Sequence, residues 1–230
     1  MILVVVQIGV THKLQGELYD NTLQLKEVEI PLETLARSVI GYDAVLTGEV
    51  HYSLLHAING DYALIAEHKA RYDRIGIEFD NLLKKEAKHL LEQSTRTRET
   101  KEQALVYLGE LNKLNMALVD LETKAFDAIE KKDVETANSL LTGKEYRENK
   151  NEFYQNYLGW TELEHDTSEL IANKILKNSQ TIIYLSLGIS IGILIMIILT
   201  ILILISFIKT KEKELDLREK AKLSYKKNDW

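Results

Sequence analysis

Four residues of this chain, Asp43, Thr47, Arg71 and Lys150, are of the types that can hold a small polar molecule between helices. The track Ile40, Asp43, Thr47, Val50, Leu54 and Ala57 keeps the three-four spacing of a buried helix face, yet two of its members are polar. Lys150 interrupts an aromatic stripe of Tyr146, Phe153, Tyr157 and Trp160 in the same way. Counted from expected turns at Gly60 and Lys132, the four residues fall at comparable heights, so an acid, a hydroxyl and two cations could share one layer. Such a layer offers complementary partners to a small ligand, and helix bundles commonly build their sites in this way. It could equally be an internal ion-pair network that fixes helix register, because buried charges are costly unless paired.

Other chemistry is thinly represented. The six histidines include no i,i+4 pair and no HExxH arrangement, so no metal site and no cofactor are expected. Cysteine is absent, which removes disulfides, thiolate zinc sites and a thiol nucleophile. Neither a glycine-rich phosphate loop nor a nucleophile elbow occurs, and no enzyme is expected. The net charge of -6 and the lack of a basic face interleaved with aromatics argue against a nucleic-acid partner.

The elements that must position these residues are helical. One proline and eleven glycines punctuate 230 residues rich in Leu, Glu, Lys, Ala and Ile. A first helix carries Leu32, Leu35, Val39, Tyr42 and Leu46, with Pro31 at its start or at a kink. It ends at Asn59-Gly60-Asp61, where Gly60 closes one helix and Asp61 caps the next. A second carries Ile65, Tyr72, Ile75, Phe79 and Leu82 and fades into Gln93 to Arg98. The third alternates four and three through Tyr107, Leu111, Leu114, Leu118, Leu121, Ala125 and Ala128 and closes at Lys131-Lys132-Asp133. After a short segment that breaks at Thr142-Gly143, a fourth carries the aromatic stripe on through Leu163, Thr167 and Leu170. Short connections between long helices predict an all-α fold, an antiparallel four-helix bundle whose last helix continues into a transmembrane helix.

That last expectation rests on Ile182 to Ile208, where no formally charged residue occurs. At ~1.5 Å per residue the run crosses a hydrocarbon core of ~30 Å with length to spare. Lysines and arginines follow it densely from Lys209 to Lys227, while acids prevail before it, so the tail is expected inside the cell and the preceding domain outside. Gly188 and Gly192, flanked by Ser186 and Ser190, have the spacing that lets two membrane helices approach closely, and a homodimer is expected. Residues 1–10 are apolar except Gln7 and too short to cross a bilayer as a helix; they read as the outer end of a first span or as an apolar turn docked on the domain. The expected organisation is residues 1–10 as this remnant, 11–180 as the extracytoplasmic domain, 181–208 as the span, and 209–230 as a short charged cytoplasmic tail without a complete output module.

The stretches Asp43-Ala44-Val45-Leu46-Thr47, Asn59-Gly60-Asp61, Ala70-Arg71-Tyr72 and Glu78-Phe79-Asp80, with Ala137 to Leu141 followed by Tyr146, Lys150 and Tyr154, carry a likeness. Across residues 11–208 the pattern resembles the extracellular or periplasmic four-helix-bundle sensor domains of prokaryotic chemoreceptors, histidine kinases and related transmembrane transducers. The resemblance implies signal transduction, as in chemotaxis: an input module that detects an extracytoplasmic stimulus, a small-molecule ligand among the candidates. It would pass the signal through the membrane helix to a cytoplasmic signalling partner or a lost output domain. The alternative is a tail-anchored, cytoplasm-facing coiled-coil protein that binds other helices or tethers membranes.

Overall fold

The computed structural model describes the backbone of residues 2–227 and the side chains of residues 9–218 and of Lys220. Every element among them is helical: α1 (Ile2–Gln24), a π-helical turn (Leu25–Glu29), α2 (Ile30–Ile58), α3 (Ile65–Asn81), a second π-helical turn (Leu82–Glu86), α4 (Ala87–Gln93), α5 (Arg98–Glu130), α6 (Val134–Thr142) and α7 (Lys144–Lys227). Helical residues follow one another without a break from α1 through α2 and from α3 through α4, two helical rods; α5 and α7 are single helices.

Pro31 stands in the first turn of α2, directly after the π turn in which the Ile30 amide donates to the carbonyl of Leu25. A proline lacks the amide that would bond the carbonyl four residues back, and its ring crowds that carbonyl; a wider turn just upstream relieves both. The second π turn repeats the device without proline, the Ala87 amide donating to Leu82.

Two of the connections are closed by the same chemistry. After α2, the Gly60 amide bonds the Ala57 carbonyl at 3.0 Å and the Asp61 amide bonds His56 at 2.9 Å. Gly60 has φ 73°, a left-handed conformation that glycine adopts without cost. After α5, Lys132 takes that position with φ 62°, its amide on Ile129 at 2.9 Å and the Asp133 amide on Ala128 at 2.8 Å. Asp133 then caps α6 by accepting from the Thr136 amide at 3.0 Å. Asp61 is not such a cap: it bonds the Ala63 amide at 3.1 Å in a local turn, and α3 begins only at Ile65. The α4–α5 turn ends at Thr97, whose hydroxyl accepts from the Thr100 amide at 3.2 Å.

The chain divides into two compact units, residues 18–176 and the terminal segments Met1–Glu17 with Lys177–Trp230. In the first, one core unites Leu32, Val39 and Leu46 of α2 with Tyr72 and Phe79 of α3, Leu111, Leu118 and Phe126 of α5, and Phe153 and Trp160 of α7. The aromatic interior is ordered by ring geometry: Tyr42 stacks on Phe79 at 5.5 Å, and Phe79 meets Phe153 edge-on at 6.3 Å. Leu170 departs from the expected stripe and is 68 % exposed, because beyond Trp160 the buried positions pass to Glu164 and Ser168. In the second unit, α7 leaves apolar side chains such as Ile195, Leu199 and Leu202 exposed, and the helix is long and apolar enough to cross a membrane. Residue 1 and the side chains of residues 1–8 lie outside the described residues, as do residues 228–230 of the tail, so the expected first-span remnant is described here only as the start of α1.

Candidate functional site

Asp43 and Thr47 stand one helical turn apart on the same face of α2, and that face meets the beginning of α7. There Lys150 extends its ammonium between them, donating to Asp43 Oδ1 at 2.6 Å and to Thr47 Oγ1 at 2.5 Å. The ammonium also lies 5.5 Å from the centre of the Tyr146 ring. These side chains form one wall of an open groove of about 650 Å³, completed by Ala44, Gly48, His51, Tyr52 and Leu55. His51 Nδ1 donates to the Thr47 carbonyl at 2.8 Å, which leaves Nε2 free of that bond.

Behind Lys150 lies a carboxylate outside the four residues singled out above. Glu122 of α5 is buried, accepts from the Tyr72 hydroxyl at 2.7 Å and from the Tyr146 hydroxyl at 2.7 Å, and sits 3.6 Å from the Lys150 ammonium. A buried carboxylate needs several partners: two hydroxyls, from α3 and α7, donate to it, and the Lys150 ammonium pairs with it. Both phenols are held well above their ordinary range, first by burial and then by the negative charge of Glu122. They therefore act near neutral pH as fixed donors. The layer reads inward as groove, Asp43 and Thr47, Lys150, Glu122 and its two tyrosines.

Of the four residues singled out from sequence, three meet here. Arg71 does not join them. Its guanidinium pairs with Glu67 one turn away and stands 3.8 Å from Glu49. Tyr72, the next residue on α3, reaches Glu122 in the core, whereas Arg71 stands on an exposed face of the same helix. Beside it lies another cluster: His68 Nδ1 bonds Glu49 Oε2 at 2.6 Å, and the rings of His56 and His68 are 5.5 Å apart. No group of three or more His, Asp and Glu side chains among the described residues is placed to hold a metal ion. Gly188 and Gly192 belong to the terminal unit; both are exposed, and open space surrounds Gly192.

A second polar centre occupies the other end of the core. Arg96, in the α4–α5 turn, has a side chain only 1 % exposed and pairs with two fully buried carboxylates, Glu29 from the first π turn and Glu164 from α7. Trp160 Nε1 donates to Glu164 at 2.8 Å and Gln24 Nε2 to Glu29 at 2.7 Å. Burial works against the charge on Arg96, but the hydrogen bonds it donates to Glu164 and Glu29 outweigh it and raise its pKa. In the sequence Arg96 looked like one more polar turn residue. The signal that was present lies on α5 and α7: Leu111, Asn115, Leu118, Glu122 and Ala125 keep seam spacing, as do Phe153, Tyr157, Trp160 and Glu164, and an acid on such a seam marks a buried partner.

No family model, no curated protein and no solved structure matches this chain.

Proposed function

We propose that this protein is a membrane-anchored sensory input module, in which an antiparallel four-helix bundle outside the cell binds a small polar molecule and α7 continues through the bilayer to a cytoplasmic partner. The observation that carries this reading is the Asp43–Thr47–Lys150 cluster, set on the wall of an open groove and backed by Glu122. A network meant only to fix register would be expected away from a cavity; this one presents a carboxylate, a hydroxyl and an ammonium to it. The second support is that one helix, α7, carries both Lys150 and the uncharged run from Ile182 to Ile208. A ligand that competes for Lys150 would act on that helix directly, and shifts of ~1 to 2 Å are a known mode of switching. The excess of lysine after the run supports a cytoplasmic tail. The resemblance to receptor input domains points the same way.

Two measurements test the reading. In cells, Met116→Cys on the exposed face of α5 is expected to react with a membrane-impermeant maleimide, and Lys213→Cys only after permeabilisation. The reverse pattern would place the helices in the cytoplasm and favour the tail-anchored alternative. With the purified chain in detergent, a panel of organic acids and amines is expected to contain compounds that raise the melting temperature, and Lys150→Met should abolish the rise. A panel without effect argues against ligand sensing at this groove.

A further inference from the structure

A second groove, of about 560 Å³, opens between α3 and α5, whereas the Lys150 groove is lined from α2 and α7. Its size is within the ~300–1,000 Å³ of small-molecule sites. Tyr72 and Asn115 form its floor, only 4 and 7 % exposed. Tyr72 turns its hydroxyl inward, donating to Glu122. Asn115 has no such partner: among the described residues nothing bonds its carboxamide, and the side chain lines the groove.

A carboxamide carries two donor hydrogens and an acceptor oxygen, and burying it unbonded is costly. An asparagine retained on a helix seam to fix register does so by bonding a polar group across that seam. Asn115 stands between Leu111 and Leu118 on the seam of α5 and bonds none. A polar residue is therefore held at a core position for which the folded chain supplies no counterpart.

The walls indicate what that counterpart is. Asp73 and Asp80 of α3 and Asp120 of α5 line the groove, and no lysine or arginine does. Their counter-ions, Lys69, Lys84 and Lys124, stand one turn away on the same helices at 3.1, 2.5 and 2.6 Å. Exposed pairs of this kind are weak and screened by salt, so another ammonium can take a lysine's place at little cost. Ile77 and Met116, 65 and 58 % exposed, add apolar surface from the two helices, and the flexible thioether adapts to what lies against it.

We propose that this groove is a second binding site, for an organic cation in which a primary ammonium is joined to an apolar body. The ammonium, with three donors, bonds the Asn115 carboxamide oxygen and the carboxylates at the rim, and the body lies against Ile77 and Met116. The site shares no lining residue with the Lys150 groove and stands whether or not that groove binds a ligand.

Phenethylamine is the probe, with phenethyl alcohol and phenylacetate as its neutral and anionic counterparts. Equilibrium dialysis against the full chain in detergent, with empty micelles as the blank, is expected to show the amine held about tenfold more tightly than either. Asn115→Leu should weaken that binding about tenfold while leaving the melting temperature at or above the native value, because it removes an unbonded buried amide. Asp73→Asn combined with Asp120→Asn, at two exposed positions, should weaken it by a similar factor, and carries the test by itself if Asn115→Leu does not fold. Lys150→Met should leave it unchanged, so a melting rise that survives Lys150→Met but not Asn115→Leu belongs to this groove. Retention of the amine no greater than that of the alcohol overturns the proposal. So does undiminished binding in either folded variant, and so does binding that is lost with Lys150→Met.

Discussion

Arg96 is a buried cation, its side chain 1 % exposed. Its guanidinium stands between two carboxylates with no exposure of their own, so Arg96→Met would leave both without their counter-ion. Breaking a buried pair from one side costs about 3–5 kcal/mol, and chemical denaturation of residues 18–176 in the full chain should register a loss of that size. At the other centre the tyrosines give a pH signature. Because the fold raises the pKa of Tyr72 and Tyr146 above the ordinary 10.0, it favours their neutral forms; that stabilisation is complete below pH 10.0 and declines as the unfolded chain ionises above it. The melting temperature of the native protein should thus fall more steeply above that pH than that of a Tyr72→Phe, Tyr146→Phe double variant. Asp43, Thr47 and Lys150 were legible in the sequence because each is a polar residue breaking an otherwise apolar period. Glu29 and Arg96 were not, since one lies in a π turn that shifts the period and the other in a turn that has none.

At the scale of elements, the seams of α2, α3 and α5 follow from spacing alone: Leu32, Val39 and Leu46, Tyr72 and Phe79, and Leu111, Leu114, Leu118, Leu121, Ala125 and Ala128 are inside. At Asp61 and Leu170 the structure departs from that spacing, through a helix boundary and a change of register. A π turn adds one residue without a break, and no propensity scale marks it. The turn closures carry their own expectations. Gly60→Ala forces a Cβ into the left-handed region and should cost about 1 kcal/mol, read as a lowered denaturation midpoint. Lys132 already bears that strain, and its ammonium lies 5.3 Å from the centre of the Tyr62 ring. Lys132→Gly in a Tyr62→Leu background, where the ring contact is gone, should therefore stabilise by about 0.5–1 kcal/mol.

For the molecule as a whole, the proposed membrane passage depends on the uncharged run of α7 more than on any feature of the core. Ile197→Lys places an ammonium in its middle, at a cost of about 3 kcal/mol on insertion scales. Carbonate extraction should then release a measurable fraction of the variant from membranes while the native chain stays in the pellet. The two π turns have a further consequence, one that concerns kinship between chains. Each rod holds a surplus residue where a relative with an uninterrupted α-helix would have none. A correct alignment to such a relative must open its gaps at Leu25–Glu29 and Leu82–Glu86, in the midst of helices and far from any loop. Scoring that confines gaps to loops would displace every residue ahead of each turn by one step, rotating them by ~100° on the partner's helical wheel. Buried Gln24 would then be equated with a surface position, and a true ancestor could pass for a stranger.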